Sequence, residues 1–275
     1  MPLISVITAV YAPSADYLHA TARSVKEVAL PAGWELEWIV QEDGETPRLA
    51  EAVAEYDFCQ YSANRRRLGI AGTRNLALSR ARGVLIQALD QDDLLLPRAF
   101  QTLIPRFREK RVHWAIGQAD DLMPDGTRRP YPSAISFGLM RAGEVNQWAT
   151  ANGGNWPIHG GALMFRTATW RALGGWTGIP SDDELATFAA LSQVADGWYD
   201  EALTWLYRFH GKQAHRSAEL RAVSEAGRRF ALQRAAAVEA IGLQLPLDAG
   251  SGLDVAAVDV VVTANIKDTT MPSSS

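Results

Sequence analysis

Three aspartates lie within four residues at the end of an apolar run. The stretch "GVLIQALDQDDLLLP" (83–97) predicts a buried strand that ends in Asp90, Asp92 and Asp93. Carboxylates this close repel each other and raise one another's pKa. A divalent cation or a hydrogen-bond network removes that conflict, although aspartate is also common in solvated turns and helix caps. The cluster alone leaves a metal site and a structural turn open.

The elements that must position these acids alternate between strand and helix. The patterns predict strands over 3–11, 34–44 and 84–89, and helices over 14–29 (capped by Ser14 or Asp16), 46–56 and 69–83. This alternation implies an α/β fold with a mostly parallel central sheet covered by helices on both faces. Ligands collect at the carboxyl ends of such strands, where Tyr11, Asp43 and Asp90 to Asp93 all lie. The shared edge favours a binding site.

The second half of the chain is less regular. We expect a strand, turn and return strand over 113–131, a strand and short helix over 160–176, a helix over 181–193 and a strand over 198–211. Residues 133–160 have weak periodicity and are predicted to form a shaped loop. The tryptophans between 148 and 176 suit stacking on a sugar, and they suit core packing equally well.

The end of the chain carries one long helical pattern. Residues 217–242 predict an amphipathic C-terminal helix, and 254–262 suggest a further strand. Such a helix needs an apolar partner, because tertiary packing stabilises most helices. We expect that partner to be the rest of the fold or a second copy in a homodimer.

Composition excludes several classes of protein. The 275 residues are 47% hydrophobic with a formal net charge of −4, which argues against a nucleic-acid partner held by bulk electrostatics. Cys59 is the only cysteine, so the chain has neither an intrachain disulfide nor a cysteine-based zinc site. No apolar stretch approaches the roughly 20 residues of a membrane span, and the N-terminus lacks the features of a signal peptide. We therefore expect a cytoplasmic protein.

Several segments together resemble a known family. "ISVITAVYAP", "VQEDGE", "GIAGTRNLALSRARGVLIQALDQDD", "GGALMFRTATWRALGGW", "SDDEL" and "YRFHGKQ" occur in the order seen in family 2 glycosyltransferases of the GT-A fold. The resemblance covers about residues 3–213. It implies a transferase domain over 1–212, with a nucleotide-binding half (1–97) and an acceptor half (98–212), followed by a C-terminal helix and tail (213–275).

The resemblance also implies a reaction. Family 2 enzymes of this kind move a sugar from a nucleoside-diphosphate sugar, with inversion, to a hydroxyl group. UDP is the favoured nucleotide here, and the expected acceptor is soluble: a small metabolite, an antibiotic precursor or a saccharide. A divalent metal, Mn²⁺ or Mg²⁺, neutralises the diphosphate that leaves. Hard cations of this kind prefer oxygen ligands and retain waters, so one or two carboxylates suffice.

Metal ligands follow from the matching motif positions. Asp92 occupies the position of the family's metal ligand, and the "YRFH" segment nominates His210 beside the metal and diphosphate. Asp90 would face the ribose or the water shell of the metal. Asp93 would orient Asp92 or meet the acceptor. Without the resemblance, a histidine after a strand is more often structural.

The nucleotide side is implied in the same way. The matching positions are Thr8, Ala9, Tyr11, Asp43, Arg74, Asp90 and Gln91. Tyr11 would stack on the base, although ordinary packing at a strand end explains it nearly as well. Asp43 would accept the N3–H of uracil. Arg74 would bridge Asp43 or a phosphate, or form a structural salt bridge.

A general base must take the proton of the acceptor hydroxyl. The family places this base in an acidic pair at a helix start, which corresponds here to Asp182, with Asp183 as the fallback. Ser181 and Phe188 stand where the family has glutamate and arginine, which weakens the assignment. These acids would also complement a helix dipole without any catalytic role.

Two other functions remain open at this point. A sugar-nucleotide-binding protein without catalysis would explain the departures from the family pattern at the helix start. A magnesium-dependent phosphatase would use the first aspartate of a DxD motif as its nucleophile. That motif normally lies on the first strand, whereas Asp90 lies on a later one.

Overall fold

The computed structural model describes residues 1–179, 183–211, 213 and 218–245. Its strands are β1 (Leu3–Tyr11), β2 (Glu35–Asp43), β3 (Cys59–Ala63), β4 (Leu85–Ala88), β5 (Leu94–Leu95), β6 (Val112–Leu122), β7 (Arg128–Pro130), β8 (Gly138–Met140), β9 (Met164–Arg166) and β10 (Asp196–Arg208). The α-helices are α1 (Leu18–Glu27), α2 (Ala50–Val53), α3 (Gly69–Arg80), α4 (Ala99–Leu103), α5 (Glu144–Ala151), α6 (Thr167–Ala172), α7 (Asp183–Val194) and α8 (Ala218–Ala240). Short 3₁₀ turns cover Ala12–Ser14, Ile104–Arg108 and Gly160–Ala162.

All ten strands belong to one sheet. Its main path runs β3-β2-β1-β4-β9-β6-β10-β5, while β7 pairs with β6 and β8 pairs with β10. Along this path only β9 and β5 run antiparallel to the other strands. β1 pairs in register with β2 up to Tyr11 and Asp43, and β4 pairs with β1 on its other side. The end of β1, the end of β2 and the acids after β4 therefore share one edge, as predicted.

The sheet is buried on both faces by two apolar clusters. Alternate residues of β1 serve the two sides: Ile7 packs into the cluster with α3, α6 and α7, while Val6 packs into the cluster with α1 and α4. This two-sided burial follows from the β-branched run at the start of the chain, because a strand buried on both faces needs apolar residues throughout. The predicted helix-covered sheet is confirmed.

The start of α1 differs from the prediction. The helix begins at Leu18 after Tyr17, and Tyr17 makes no side-chain capping bond, so neither Ser14 nor Asp16 is the cap. Ser14 lies instead in the 3₁₀ turn, where its hydroxyl donates to the Tyr11 carbonyl and accepts from Gln91. A long-range contact to the acidic loop replaces the local capping bond.

Two other segments also differ from the prediction. The helix expected over 46–56 shrinks to α2, because the Glu42 carboxylate accepts the backbone N–H groups of Arg48 and Leu49 and ties them to β2. The segment 133–160 contains β8 and α5 rather than loop alone. The buried residues Val145 and Ala149 lie four positions apart, which is the helical spacing that the weak overall pattern hid.

The predicted C-terminal helix is present as α8. It packs mainly along α7 and also touches α5. The contact between α7 and α8 is formed by small buried side chains: Ala186, Ala189, Ala231 and Ala235. The apolar partner that the amphipathic pattern requires is therefore the fold itself. The strand suggested over 254–262 lies outside the described residues, and the division of the chain at 97/98 and 212/213 stays a prediction.

Candidate active site

The three aspartates after β4 converge on one point. One carboxylate oxygen from each of Asp90, Asp92 and Asp93 lies within 4.8 Å of the others. The turn that carries them is held by the amide of Gln91, which accepts from the N–H of Tyr11 at 2.8 Å and donates to Ser14. Gln91 therefore fixes the acidic loop against the end of β1, in addition to any contact with a ligand.

Asp92 and His210 lie side by side, as the resemblance implied. The His210 Nε2 is 2.7 Å from the Asp92 Oδ2, and the imidazole packs on the Tyr17 ring with their centroids 5.0 Å apart. Arg208, at the end of β10, donates its Nε–H to the backbone carbonyl of Asp92 at 2.8 Å. The end of β10 thus supplies one side of the acidic site.

Asp93 is the most deeply buried of the three acids, with a relative exposure of 1%. Its Oδ1 accepts the backbone N–H of Arg208 at 2.8 Å, while its buried Oδ2 has no hydrogen-bond partner among the described residues. Burial, together with the charges of Asp90 and Asp92, raises the pKa of the Asp93 carboxyl well above its ordinary value. An orphaned buried oxygen beside two further carboxylates fits a hard divalent cation, which prefers oxygen ligands.

Arg74 joins this cluster to the acids of α7. Its buried guanidinium donates to Asp90, to Asp183 at 3.1 Å and to Glu184 at 3.4 Å. Burial alone would lower the pKa of Arg74, but the charges of these three carboxylates raise it above its ordinary value. Of the alternatives left open for Arg74, the salt bridge is present, and the bridge to Asp43 is wrong because Asp43 is held by other groups.

Each carboxylate responds differently to this environment. Burial raises the pKa of Asp90 to about 6, against the opposing charge of Arg74. Burial also raises the pKa of Asp183, with a further increase from the charge of Glu184. For Glu184, burial raises the pKa, but the charge of Arg74 and the hydrogen bonds from Asp183 and the backbone together outweigh it, and the pKa is lowered. Carboxylates of unlike pKa around one arginine are typical of sites that move protons.

The predicted base falls partly outside the described region. Asp183 is the first residue of α7 and faces Arg74, whereas Asp182 lies outside the described residues together with Ser181. Phe188, which stands where the family has arginine, is fully buried and packs edge-on against Trp114, with the ring centroids 4.9 Å apart. This position is thus part of the apolar core.

Tyr11 and Asp43 form the other end of the site. The Arg67 guanidinium lies over the Tyr11 ring at 3.9 Å and its Nε is 3.3 Å from Asp43. The Asp43 carboxylate accepts from the backbone N–H of Leu68 at 2.7 Å and of Gly69 at 3.1 Å. Asp43 therefore holds the N-terminus of α3 next to Tyr11 at the strand ends.

The two remaining residues predicted on the nucleotide side lie on β1. Thr8 is buried and its hydroxyl accepts from the indole of Trp38 at 3.0 Å, so its side chain serves the core. Ala9 is half-buried near the strand end.

Among the tryptophans between 148 and 176, Trp170 and Trp176 are buried core residues, for which packing is the correct interpretation. Trp156 is half-buried, and its indole N–H donates to Asn146.

Sequence reasoning missed three contributors to the site. They are Tyr17, which packs on His210; Arg208, which contacts Asp92 and Asp93; and Arg67, which covers Tyr11. Arg208 was recognisable, because it stands two positions before His210 in the strand predicted over 198–211, and alternate residues of a strand share a face. For Tyr17 and Arg67 the sequence offers no such signal, since both act from loops and helix ends.

Together these features define an α/β protein with an acidic, cation-compatible site at the carboxyl edge of its sheet. The chain belongs to glycosyl transferase family 2, whose family model matches residues 5–173. A curated relative, "Uncharacterized protein MT1568" of Mycobacterium tuberculosis (strain CDC 1551 / Oshkosh), is 33% identical over 127 residues, which are 44% of this chain and 39% of the relative.

Solved structures of S. aureus TarS resemble this fold. TarS 1-349 in complex with UDP-GlcNAc matches with a TM-score of 0.63 at 16% identity, over 79% of this chain and 61% of that chain. TarS 1-349 in complex with UDP matches with a TM-score of 0.62, over 90% and 68%. At this identity the likeness establishes the fold alone, and it confirms the predicted GT-A architecture.

The chain spans less than two thirds of the curated relative and of the UDP-GlcNAc-bound TarS chain. Within the part of the chain that the structure describes, no helix is long and apolar enough to cross a membrane.

Proposed function

We propose that this protein transfers a sugar from a nucleoside-diphosphate sugar, with UDP as the nucleotide, to a hydroxyl of a soluble acceptor. The observation that carries the proposal is the convergence of Tyr11, Asp43 and three aspartates on one sheet edge in a chain of this family. The TarS structures that share its fold hold UDP and UDP-GlcNAc, which supports the same nucleotide here.

Different residues would bind the base and the diphosphate of the donor. Tyr11 would stack on the base with the ring face that Arg67 does not cover, and Asp43, beside it at the strand ends, has a carboxylate that accepts N–H donors. Asp92 and His210 would hold Mn²⁺ or Mg²⁺, with Asp90 and Asp93 beside them. The bound cation supplies positive charge for the diphosphate as it leaves.

The acceptor side centres on the start of α7. A general base must lie within reach of the acceptor hydroxyl and be unprotonated near neutral pH. Asp182 is our first candidate, by its position in the family motif, and Asp183 is the second. Arg74 holds Asp183 and Asp90 from opposite sides, so it sets the distance between the donor and acceptor carboxylates. The expected product has inverted anomeric configuration.

Donor binding is tested by calorimetry of UDP with and without Mn²⁺. We expect Asp92→Asn to lose the Mn²⁺-dependent part of UDP binding while remaining folded, because an amide replaces a carboxylate ligand. Asp57→Asn, an exposed acid elsewhere in the chain, is the matched control and should bind like wild type. Unchanged Mn²⁺ dependence in Asp92→Asn would contradict the proposed metal site.

The general base is tested with the two neighbouring variants. Asp182→Asn should keep UDP binding and lose sugar transfer or donor hydrolysis by about 10²-fold or more, as a missing base does. If Asp182→Asn retains near wild-type turnover and Asp183→Asn loses it, the role belongs to Asp183. UDP binding without any turnover would support a non-catalytic binding protein. Release of phosphate from simple phosphomonoesters would support a phosphatase.

A further inference from the structure

Arg234 of helix α8 forms hydrogen bonds with the segment that precedes α7. Arg234 donates from Nη1 to the hydroxyl of Thr177 and, at 3.1 Å, to that of Thr187, and from Nη2 to the carbonyl of Leu173. Thr187 in turn donates to the carbonyl of Gly175 at 2.7 Å. One guanidinium therefore joins α8, the segment 173–177 and the first turns of α7.

The contact at Thr187 lies one helical turn from Asp183. Residues four apart in a helix stand on the same face, so fixing Thr187 also restricts where Asp183 points. Thr187 is fully buried, and the neighbouring alanines bring α7 and α8 into close contact. Helix α7, which carries Asp183, the second candidate for the base, thus cannot shift along α8 without breaking these bonds.

The same segment is fixed from the opposite side by α3. Asn75, the neighbour of Arg74, donates its amide to the carbonyl of Trp176 and accepts the Trp176 N–H, both at 2.8 Å. Gly175 fits there because it has a φ of +71° and because a Cβ would lie 2.2 Å from the Asn75 Oδ1. Segment 173–177 is therefore held between a residue of the donor half and a residue of the C-terminal helix.

We propose that α8 is a positioning element of the transferase site, and that Arg234 is its positioning residue. By holding the segment before α7 and the first turns of α7, Arg234 sets the place of Asp183 opposite Arg74 and the acidic cluster. This inference rests on the proposed function, because it assigns α8 a role in that reaction. Residue 234 lies beyond the part of the chain matched by the family model, which ends at 173.

The test compares two arginines of the same helix. Arg234→Met keeps most of the length of the side chain and removes the hydrogen-bond donors. Arg229→Met removes an exposed arginine that forms an ion pair with Glu225. Turnover is measured as Mn²⁺-dependent hydrolysis of a UDP-sugar, divided by the number of UDP-binding sites found by calorimetry. We expect Arg234→Met to lower kcat by at least about tenfold with unchanged KM and UDP affinity, and Arg229→Met to leave kcat unchanged. A displacement of about 1 Å at a distance from the reaction is enough for a loss of this size.

A second readout separates positioning from a loss of folded protein. Hydrogen exchange at the amides of 173–179 and the first turn of α7 should be faster in Arg234→Met than in Arg229→Met. Arg234→Lys, which keeps the charge and one donor group, should recover part of the kcat. If Arg234→Met does not fold, Thr187→Val removes one of the three acceptors of Arg234, together with the bond from Thr187 to the Gly175 carbonyl, and a smaller loss of kcat is expected.

The possible outcomes distinguish the positioning role of α8 from the proposed transferase function. Wild-type protein that neither binds UDP nor turns over a UDP-sugar overturns the proposed function and the role of α8 with it. Wild-type turnover, together with an unchanged kcat per UDP site in Arg234→Met or Thr187→Val, overturns only the role of α8. A loss of kcat accompanied by an equal loss of UDP affinity would also contradict it, because the hydrogen bonds of Arg234 go to segment 173–177 and α7 and not to the residues proposed to bind the donor.

Discussion

Replacing Arg74 with methionine removes the charge that three carboxylates share. The Arg74 side chain is 5% exposed and donates to Asp90, Asp183 and Glu184. Methionine fills a similar volume but donates no hydrogen bond. The variant therefore tests whether the carboxylates of the donor and acceptor sides depend on this one cation for their place in the folded protein.

The expected cost depends mainly on Asp183. The Asp183 side chain is 5% exposed, whereas that of Asp90 is 34% exposed and reached by water. Removing one partner of a buried ion pair costs about 3–5 kcal/mol, since the other charge is left uncompensated. We therefore expect Arg74→Met to lower the free energy of unfolding by about 3–5 kcal/mol at about pH 7.5, where an ionised Asp183 would be buried without a partner charge.

Lower pH should relieve part of this cost. Burial already raises the pKa of Asp183, and losing Arg74, whose charge opposes that shift, raises it further. A carboxyl with a folded-state pKa above its unfolded value contributes stability that is present at low pH and is lost as pH rises through the folded pKa. Towards pH 5.5 the variant should thus regain up to about 1.4 kcal/mol per pH unit relative to wild type.

Urea denaturation in EDTA, followed by tryptophan fluorescence, measures the free energy of unfolding at about pH 7.5 and its change towards pH 5.5. Arg229→Met, which disrupts an exposed pair with Glu225, should change stability by no more than about 0.5 kcal/mol at either pH. A cost for Arg74→Met below about 1 kcal/mol at both pH values would refute the reasoning from the buried pair. A cost that grows as the pH falls would refute the assignment to an ionised carboxylate.

Two further predictions concern the acidic cluster and the core. Because the pKa of Asp90 is about 6 and protons compete with cations for carboxylates, Mn²⁺ affinity measured by calorimetry should rise between pH 5 and pH 7. Affinity that is flat over this range, or that survives in Asp92→Asn, would show that Mn²⁺ binds elsewhere. Gly197→Ala should destabilise the protein by about 3 kcal/mol or more, because its Cβ would lie 1.8 Å from the Trp114 ring. Gly178→Ala, with no atom within 4 Å of its Cβ, is the control in thermal melts, and equal melting temperatures for the two variants would contradict the packing argument.

The parts of the fold that could be predicted from sequence are those fixed by local pattern. The β-branched run of β1 carries its signal within one element, and both β1 and the twelve residues of α3 appear where expected. The acids at 90 to 93 and His210 could be placed together because the family motifs state their order. Local pattern and motif order were therefore enough to predict most of the residues at the carboxyl edge of the sheet.

The remaining features depend on contacts between distant residues. The cap of α1 was missed because Ser14 bonds to Gln91, 77 positions away. The partners of Arg74 lie 16, 109 and 110 positions along the chain, so no spacing in the sequence reveals that one guanidinium serves Asp90, Asp183 and Glu184. Both arrangements depend on bonds between residues that are far apart in the sequence.

The antiparallel strand β9 has a consequence for how the chain is made. β9 fills the place between β4 and β6, so β4 keeps an open edge until residues 164–166 have left the ribosome. All four residues of β4 are buried in the finished sheet, and an unpaired apolar edge is prone to pair with other chains. The first 97 residues are thus poorly suited to exist as a separate fragment, because they would expose the apolar edge of β4.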